Sequence, residues 1–321
     1  MLKQRKLIME AKPAIVIVGS SNTDMVIKAE HLPGAGETIL GGVFFMNPGG
    51  KGANQAVAAA RLGGNITFIC KTGNDIFGRQ SVQLFEDEGI KTSYLLSDPK
   101  NPSGVALITV DKDAENCIVV ASGANATLSP ADIHKAKEAI EGSMIVLMQL
   151  EIPLNTVEYV ASTAAAKGVK VVLNPAPACE LSDELLRNVS VITPNKKEAE
   201  MISGMTVNNI DDAKEAAQII KNKGVETVIL TLGPKGALVL DKGEFTHINA
   251  VKVEAVDTTA AGDVFNGALV VALAENKSIV EATIFACRAA AISVTRLGAQ
   301  SSAPFRSETD SLADVEAVIE K

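Results

Sequence analysis

The heptapeptide Asp257-Thr258-Thr259-Ala260-Ala261-Gly262-Asp263 runs directly into an apolar helical pattern that continues to residue 274. Small residues at a helix start leave backbone N–H groups and the positive end of the helix dipole facing one point, which suits a phosphate in transfer. Asp263 falls in the first turn beside that point. A carboxylate there either complements the helix dipole or accepts a proton from an attacking hydroxyl.

A second segment, Pro48-Gly49-Gly50-Lys51-Gly52-Ala53-Asn54-Gln55, also opens onto a helical stretch, 56–62. It is not a G-x-x-x-x-G-K-[ST] loop, because Phe45 replaces that motif's first glycine and Gly52 its Ser/Thr. Clustered glycines at a helix start admit a ligand close to backbone, with Lys51 and Asn54 as hydrogen-bonding side chains; a plain glycine-rich turn is the alternative. The polar run Gly19-Ser20-Ser21-Asn22-Thr23-Asp24 follows the first apolar segment, where open α/β sheets bind ligands. The same residue types also favour ordinary turns. Two further rims, Thr193-Pro194-Asn195-Lys196-Lys197-Glu198 and Thr231-Leu232-Gly233-Pro234-Lys235-Gly236, likewise follow apolar runs. Asn195 and Glu198, three apart on one helical face, suit a hydrated Mg²⁺ or a capped helix start equally well.

The elements that position these residues alternate. Short β-branched runs at 14–18, 66–70, 144–150, 169–173, 189–192 and 227–232 have the length of buried strands. Helical stretches lie between them, with Ser129-Pro130 as cap and first residue before 131–140, and Asp211 ahead of 213–223. The expected fold is a three-layer α/β/α sandwich around a mostly parallel sheet. Strand-like pieces at about 25–45 and 92–120 break the rhythm and predict a small antiparallel sheet, a lid beside the cleft. The sequence thus reads as one domain over 14–321 behind a tail at 1–13, with an acidic terminal helix from Ser307 onward.

Of 321 residues, 47% are hydrophobic and 21% charged, enough to bury a large core and too apolar for disorder. A net charge of −8 argues against nucleic acid as partner. Cys70, Cys117, Cys179 and Cys287 lack C-x-x-C spacing, and His31, His134 and His247 are equally scattered, so zinc and disulfide frameworks are not expected. The charges at Lys3, Arg5 and Lys6 are followed by Glu10, Lys12 and Pro13 before any leader length is reached, and no window approaches about 18 apolar residues. A cytoplasmic protein without a membrane partner is expected.

Taken in order, the 49–55 run, Met148-Gln149-Leu150-Glu151, Asn174-Pro175-Ala176-Pro177 and 257–263 closely resemble the PfkB-type carbohydrate kinases, from about residue 16 to 304. Within that family the resemblance is to members that phosphorylate D-ribose at O5. It implies sugar contacts from Asn22, Asp24, Gly50, Lys51, Gly52, Ala53, Asn54 and Glu151, with Asp263 as general base. It implies an ATP side of Asn195, Glu198, Thr231, Gly233, Lys235 and Gly236, with Ala260, Ala261 and Gly262 as anion hole and Mg²⁺ on the phosphates. A monovalent cation, K⁺, is implied near Asp257, Thr259, Ser293, Arg296, Gly298 and Ser302, and a homodimer through the lid. Cys287 stands where many members place a histidine near the adenine. Kinases of deoxyribose, another sugar or a nucleoside are the alternatives; the scarcity of aromatics weighs against a stacked nucleobase. A sensor without catalysis would have no need of Asp263.

Overall fold

Strand β1 (Ala14–Val18) is buried along both faces, and its residues divide by parity. Ile15 and Ile17 enter one apolar cluster, Val16 and Val18 another. A strand covered on both sides has to be continuously apolar, which is why these runs lack alternation. The computed structural model describes residues 12–113, 115–312 and 319–320. After β1 come β2 (Asn22–Lys28), β3 (Val43–Gly49), α1 (Lys51–Arg61), β4 (Asn65–Gly73), α2 (Ile76–Asp87) and β5 (Lys91–Asp98). Strands β6 (Gly104–Val110) and β7 (Asn116–Ala121) lead to α3 (Pro130–His134), α4 (Lys137–Glu141), β8 (Ile145–Met148), α5 (Leu154–Ala165), β9 (Lys170–Leu173), α6 (Asp183–Arg187) and β10 (Val191–Ile192). The chain continues through α7 (Lys196–Ser203), α8 (Ile210–Asn222), β11 (Thr227–Thr231), β12 (Ala237–Asp241), β13 (Glu244–Ile248), α9 (Ala261–Ala274), α10 (Ile279–Ser293), α11 (Arg306–Ser311) and β14 (Ile319–Glu320).

The large sheet has the order β14-β13-β12-β11-β10-β9-β8-β1-β4-β5. It is parallel from β5 to β11 and antiparallel from there to β14. Helices α1, α9 and α10 cover one face, where Phe68 and Phe85 meet edge to face at 5.1 Å. Residues of α3 to α8 pack the other. This is the expected three-layer sandwich with its mostly parallel sheet.

A separate sheet of order β3-β2-β6-β7 forms the lid. It differs from expectation in two ways. β2 pairs β6 in parallel, so the sheet is mixed rather than antiparallel. Residues 92–98 belong to β5 at the edge of the large sheet, because their register runs alongside β4. Helix starts also shift. Asn209, not Asp211, caps α8, accepting the N–H groups of Asp211 and Asp212. Ser129 and Pro130 do open α3, but the expected 131–140 helix is interrupted. Three-residue hydrogen bonds such as Ala136 N–H to Ile133 O tighten the chain there and turn Ile133, Ala136 and Ile140 all inward. Among the described residues, the segment from Ser307 forms the rest of α11 and, at 319–320, strand β14 paired with β13; the remainder of the expected terminal helix lies outside the described residues. The expected tail at 1–13 lies outside the described residues except for 12 and 13.

Candidate functional site

Strands β1, β8, β9, β10 and β11 all deliver polar residues to one rim, where parallel sheets offer open crevices. There Lys51, Asn174, Thr193, Asn195, Glu198 and Thr231 line a cleft of about 190 Å³ together with residues 260–263 and Asn266. Helix α9 begins at this cleft. Ala260 adopts a left-handed φ of 58° as N-cap, and no side chain caps the helix. The Ala261 N–H turns back to Thr258 O at 3.3 Å, leaving Gly262 and Asp263 as the amides that open the helix. A methyl group built on Gly262 would meet nothing within 4 Å, so the space before this helix end is free for a ligand.

Asp263 occupies the third helical position and is buried. Its Oδ2 accepts from Asn54 Nδ2 and its Oδ1 from Gln55 Nε2, both at 2.9 Å. Those donors reach it because α1 and α9 pack almost backbone to backbone. A Cβ on Gly267 would come within 2.8 Å of both Ala58 Cβ and Gln55 O. Burial raises the Asp263 pKa, while Lys51 and the two amides oppose the rise. Lys51 itself would lose its proton more readily through burial alone. The carboxylates of Asp263, Glu151, Glu198 and Asp24 together hold it above the usual lysine value.

The lid supplies the opposite wall. Asn22 and Asp24 lie not on the loop after β1 but in β2, paired with Gly49 and Asn47 of β3. Asn22 is buried and its Oδ1 accepts from Asn125 Nδ2 at 2.8 Å. Burial, then Glu151 and Asp263, push the Asp24 pKa up to about 6 against the pull of Lys51. Glu151 Oε2 accepts from Ser20 Oγ at 2.5 Å and from the Lys51 N–H at 3.0 Å, tying the β8 rim to the start of α1. Gly50 reaches this turn with φ 90°, and a Cβ built on it would press on the backbone of Ser21 and Asn22. Gly52 and Ala53 donate their N–H groups to Ser20 Oγ and Ser20 O, at 3.4 and 2.9 Å, which braces the loop.

Asn195 and Glu198 form a reciprocal capping box on α7. Glu198 Oε1 and Oε2 accept from Asn195 Nδ2 and N–H at 2.7 and 2.8 Å, yet its carboxylate also lines the cleft, where burial raises its pKa. Thr231 reaches the cleft; Gly233, Lys235 and Gly236 shape the turn after β11 and do not line it. Cys287 packs within α10 against the core, where burial pushes its thiol up to about 12, and it too is absent from the lining.

The segments 257–259 and 293–302 do come together. Asp257 Oδ1 accepts from the Thr259 N–H and Oδ2 from the Gly298 N–H, both at 2.9 Å. These bonds oppose the effect of burial and hold the Asp257 carboxyl below its usual pKa. Ser293 Oγ and Ser302 Oγ donate to Ala290 O and Ala299 O, which leaves their lone pairs available. The Arg296 guanidinium pairs with Glu308, so Arg296 offers only its carbonyl to a cation.

Sequence reasoning missed Asn125, Thr193 and Asn266 as site residues, and assigned no task to Gln149 and Asn174. Thr193 Oγ1 donates to Asn266 Oδ1 at 2.7 Å, and Asn266 Nδ2 to Gly262 O at 2.8 Å. A polar residue directly after a buried apolar run, as at Gln149, Asn174 and Thr193, was the available signal.

The profile described as "pfkB family carbohydrate kinase" matches residues 12–306. The ribokinase of Haemophilus influenzae is 48% identical over 298 residues, covering 93% of this chain and 97% of that protein. The deoxyribokinase of Salmonella typhi is 38% identical over 291 residues, covering 90% and 95%. The structure of Arabidopsis thaliana ribokinase complexed with ribose and ATP superposes with a TM-score of 0.89 at 32% identity, covering 95% of this chain and 100% of that one.

Proposed function

Because the chain belongs to the pfkB family of carbohydrate kinases, we propose that it transfers the γ-phosphoryl group of ATP to the O5 hydroxyl of D-ribose, giving D-ribose 5-phosphate and ADP. One observation carries the mechanism: a buried carboxylate, Asp263, sits in the first turn of an uncapped helix facing an open cleft. The sugar lies between that carboxylate and the lid, with Asn22, Asp24, Lys51, Asn54 and Glu151 as hydrogen-bonding partners for its hydroxyls. Asp263 takes the O5 proton as the oxygen attacks. The helix dipole and the amides of Gly262 and Asp263 stabilise charge gathering on the transferred group. Lys51, kept charged by its carboxylate neighbours, adds to that field.

The oxygen donors of Asn195 and Glu198 fit a hydrated Mg²⁺ held against the phosphates, where such an ion neutralises their charge. Asp257, the hydroxyls of Ser293 and Ser302, and backbone carbonyls of 259, 296 and 298 form an oxygen-rich set that fits K⁺. Four unpaired cysteines and a need for ATP suit the cytoplasm.

Ribose is favoured over deoxyribose by the higher identity to the ribokinase, 48% against 38%. A coupled ADP-release assay across D-ribose, 2-deoxyribose, other pentoses and nucleosides tests this. Ribose should lead 2-deoxyribose in kcat/KM by about tenfold or more, since a pocket built for a hydroxyl leaves its partners unpaired without one. The rate should rise severalfold in KCl over choline chloride. Equal efficiency for both sugars, or preference for a nucleoside, overturns the substrate assignment.

A further inference from the structure

Gln55 and Gln149 stand in two of the motifs that define the site, yet phosphoryl transfer as derived above gives neither of them a task. Both are fully buried. Gln55 Nε2 donates to Asp263 Oδ1 at 2.9 Å and to Asn174 Oδ1 at 3.0 Å. Gln149 Nε2 donates to Gln55 Oε1. Asn174 Nδ2 is turned to the Thr193 carbonyl at 3.4 Å, so the oxygen of that amide faces Gln55.

An amide has one accepting end and one donating end. With Gln149 donating on one side and Asn174 accepting on the other, Gln55 can present only its NH₂ to Asp263. Turning Gln55 over would set oxygen against the oxygens of Asn174 and Asp263 and nitrogen against nitrogen at Gln149. The carboxylate oxygens of Asp263 are therefore unequal. Oδ1 is tied to this interior relay, whereas Oδ2 meets Asn54 on the sugar side, where Asn54 Oδ1 is buried without a partner.

Resting on the kinase reading above, we propose that Gln55 and Gln149 are positioning residues: their fixed amide relay holds Asp263 Oδ1 as a permanent acceptor and reserves Oδ2 to take the substrate proton. The O5–H bond breaks and its proton passes to Oδ2, O5 bonds to the γ-phosphorus, and the bond from that phosphorus to the β-phosphate oxygen breaks, its electron pair leaving with ADP. The donor from Gln55 favours the ionised base, as does Lys51, while Glu151, Asp24 and Glu198 oppose it. Gln149 touches Asp263 only through Gln55, so its effect must pass through the relay.

The test is Gln149→Glu, close in shape to the native residue. Ionised, the introduced carboxylate cannot donate to Gln55 and draws its NH₂ away from Asp263; protonated, it donates as the native amide does. At pH 8 kcat should fall at least about tenfold, which is about 1.4 kcal/mol. KM for ribose and ATP should stay within about threefold, and the deficit should shrink as pH is lowered toward 6. Gln55→Leu should show a similar fall in kcat without recovery in acid, and Gln149→Met supplies the uncharged control should the first variant not fold. Variants with kcat and pH profile within twofold of wild type overturn the relay. Wild type run alongside separates the two claims: if it phosphorylates no ribose, the functional reading fails and the relay with it, whereas an active wild type with unaltered variants overturns the relay alone.

Discussion

Asp24 carries a carboxylate into a half-closed site shared with Glu151 and Asp263, and burial together with those neighbours raises its pKa to about 6. In the unfolded chain it titrates near 3.8. The folded state therefore holds the proton more tightly. The resulting contribution to stability is complete below about pH 3.8 and is lost as pH rises through about 6. Asp24→Asn, which never has to ionise, should accordingly stabilise the folded protein by about 3 kcal/mol at pH 8, with the gain nearly gone by about pH 4. Urea midpoints at the two pH values check this; equal midpoints for variant and wild type at pH 8 contradict it. At this scale Lys51, Asn54 and Asp263 were legible because small residues at a helix start announce a ligand. Asn125 was not, since it serves the site by holding Ser21 and Asn22, more than 100 residues away in sequence, and an isolated Asn in a run of small residues otherwise reads as a turn.

The packing of α1 on α9 brings Asn54 and Gln55 to Asp263, and it depends on a residue without a side chain. A Cβ at Gly267 would press on Ala58 and on the Gln55 carbonyl at 2.8 Å. Gly267→Ala should lower stability by about 1–3 kcal/mol through overpacking and reduce kcat more than it raises KM. Thermal unfolding and steady-state kinetics read both effects. An unchanged melting point with unchanged kcat would mean that the helices separate freely. Parallel strands were legible as elements because burial on both faces demands continuous β-branched runs. The sheet to which a strand belongs was not. Residues 92–98 and 104–110 both lie in a stretch of short strand-like pieces, and their partners, β4 for one and β2 for the other, are what distinguish large sheet from lid. Asn195 and Glu198 show the same limit. One pair of residues both caps α7 and lines the cleft, so the two readings of its spacing were never exclusive.

The lid stands out from the rest of the molecule by its apolar exposure. Val43, Phe44, Met46, Leu107, Ile118, Val119 and Val120 are all about half exposed or more. An apolar sheet surface of this kind is covered when two copies meet, and we propose a homodimer formed through it. Light scattering should give twice the chain mass for wild type and a monomer for Phe44→Lys. A wild-type monomer at micromolar concentration, or a variant dimer as firm as wild type, would place the interface elsewhere or remove it. The proposed cation sites and the relay presuppose one reaction, so its product is the decisive observable. Purified protein incubated with D-ribose, ATP, Mg²⁺ and K⁺, with the product followed by proton-coupled phosphorus NMR, should give one phosphomonoester coupled to the C5 protons and one equivalent of ADP. Asp263→Asn should slow its formation at least about 100-fold. Phosphate on another oxygen, no transfer to ribose, or an Asp263→Asn variant as fast as wild type would contradict the account.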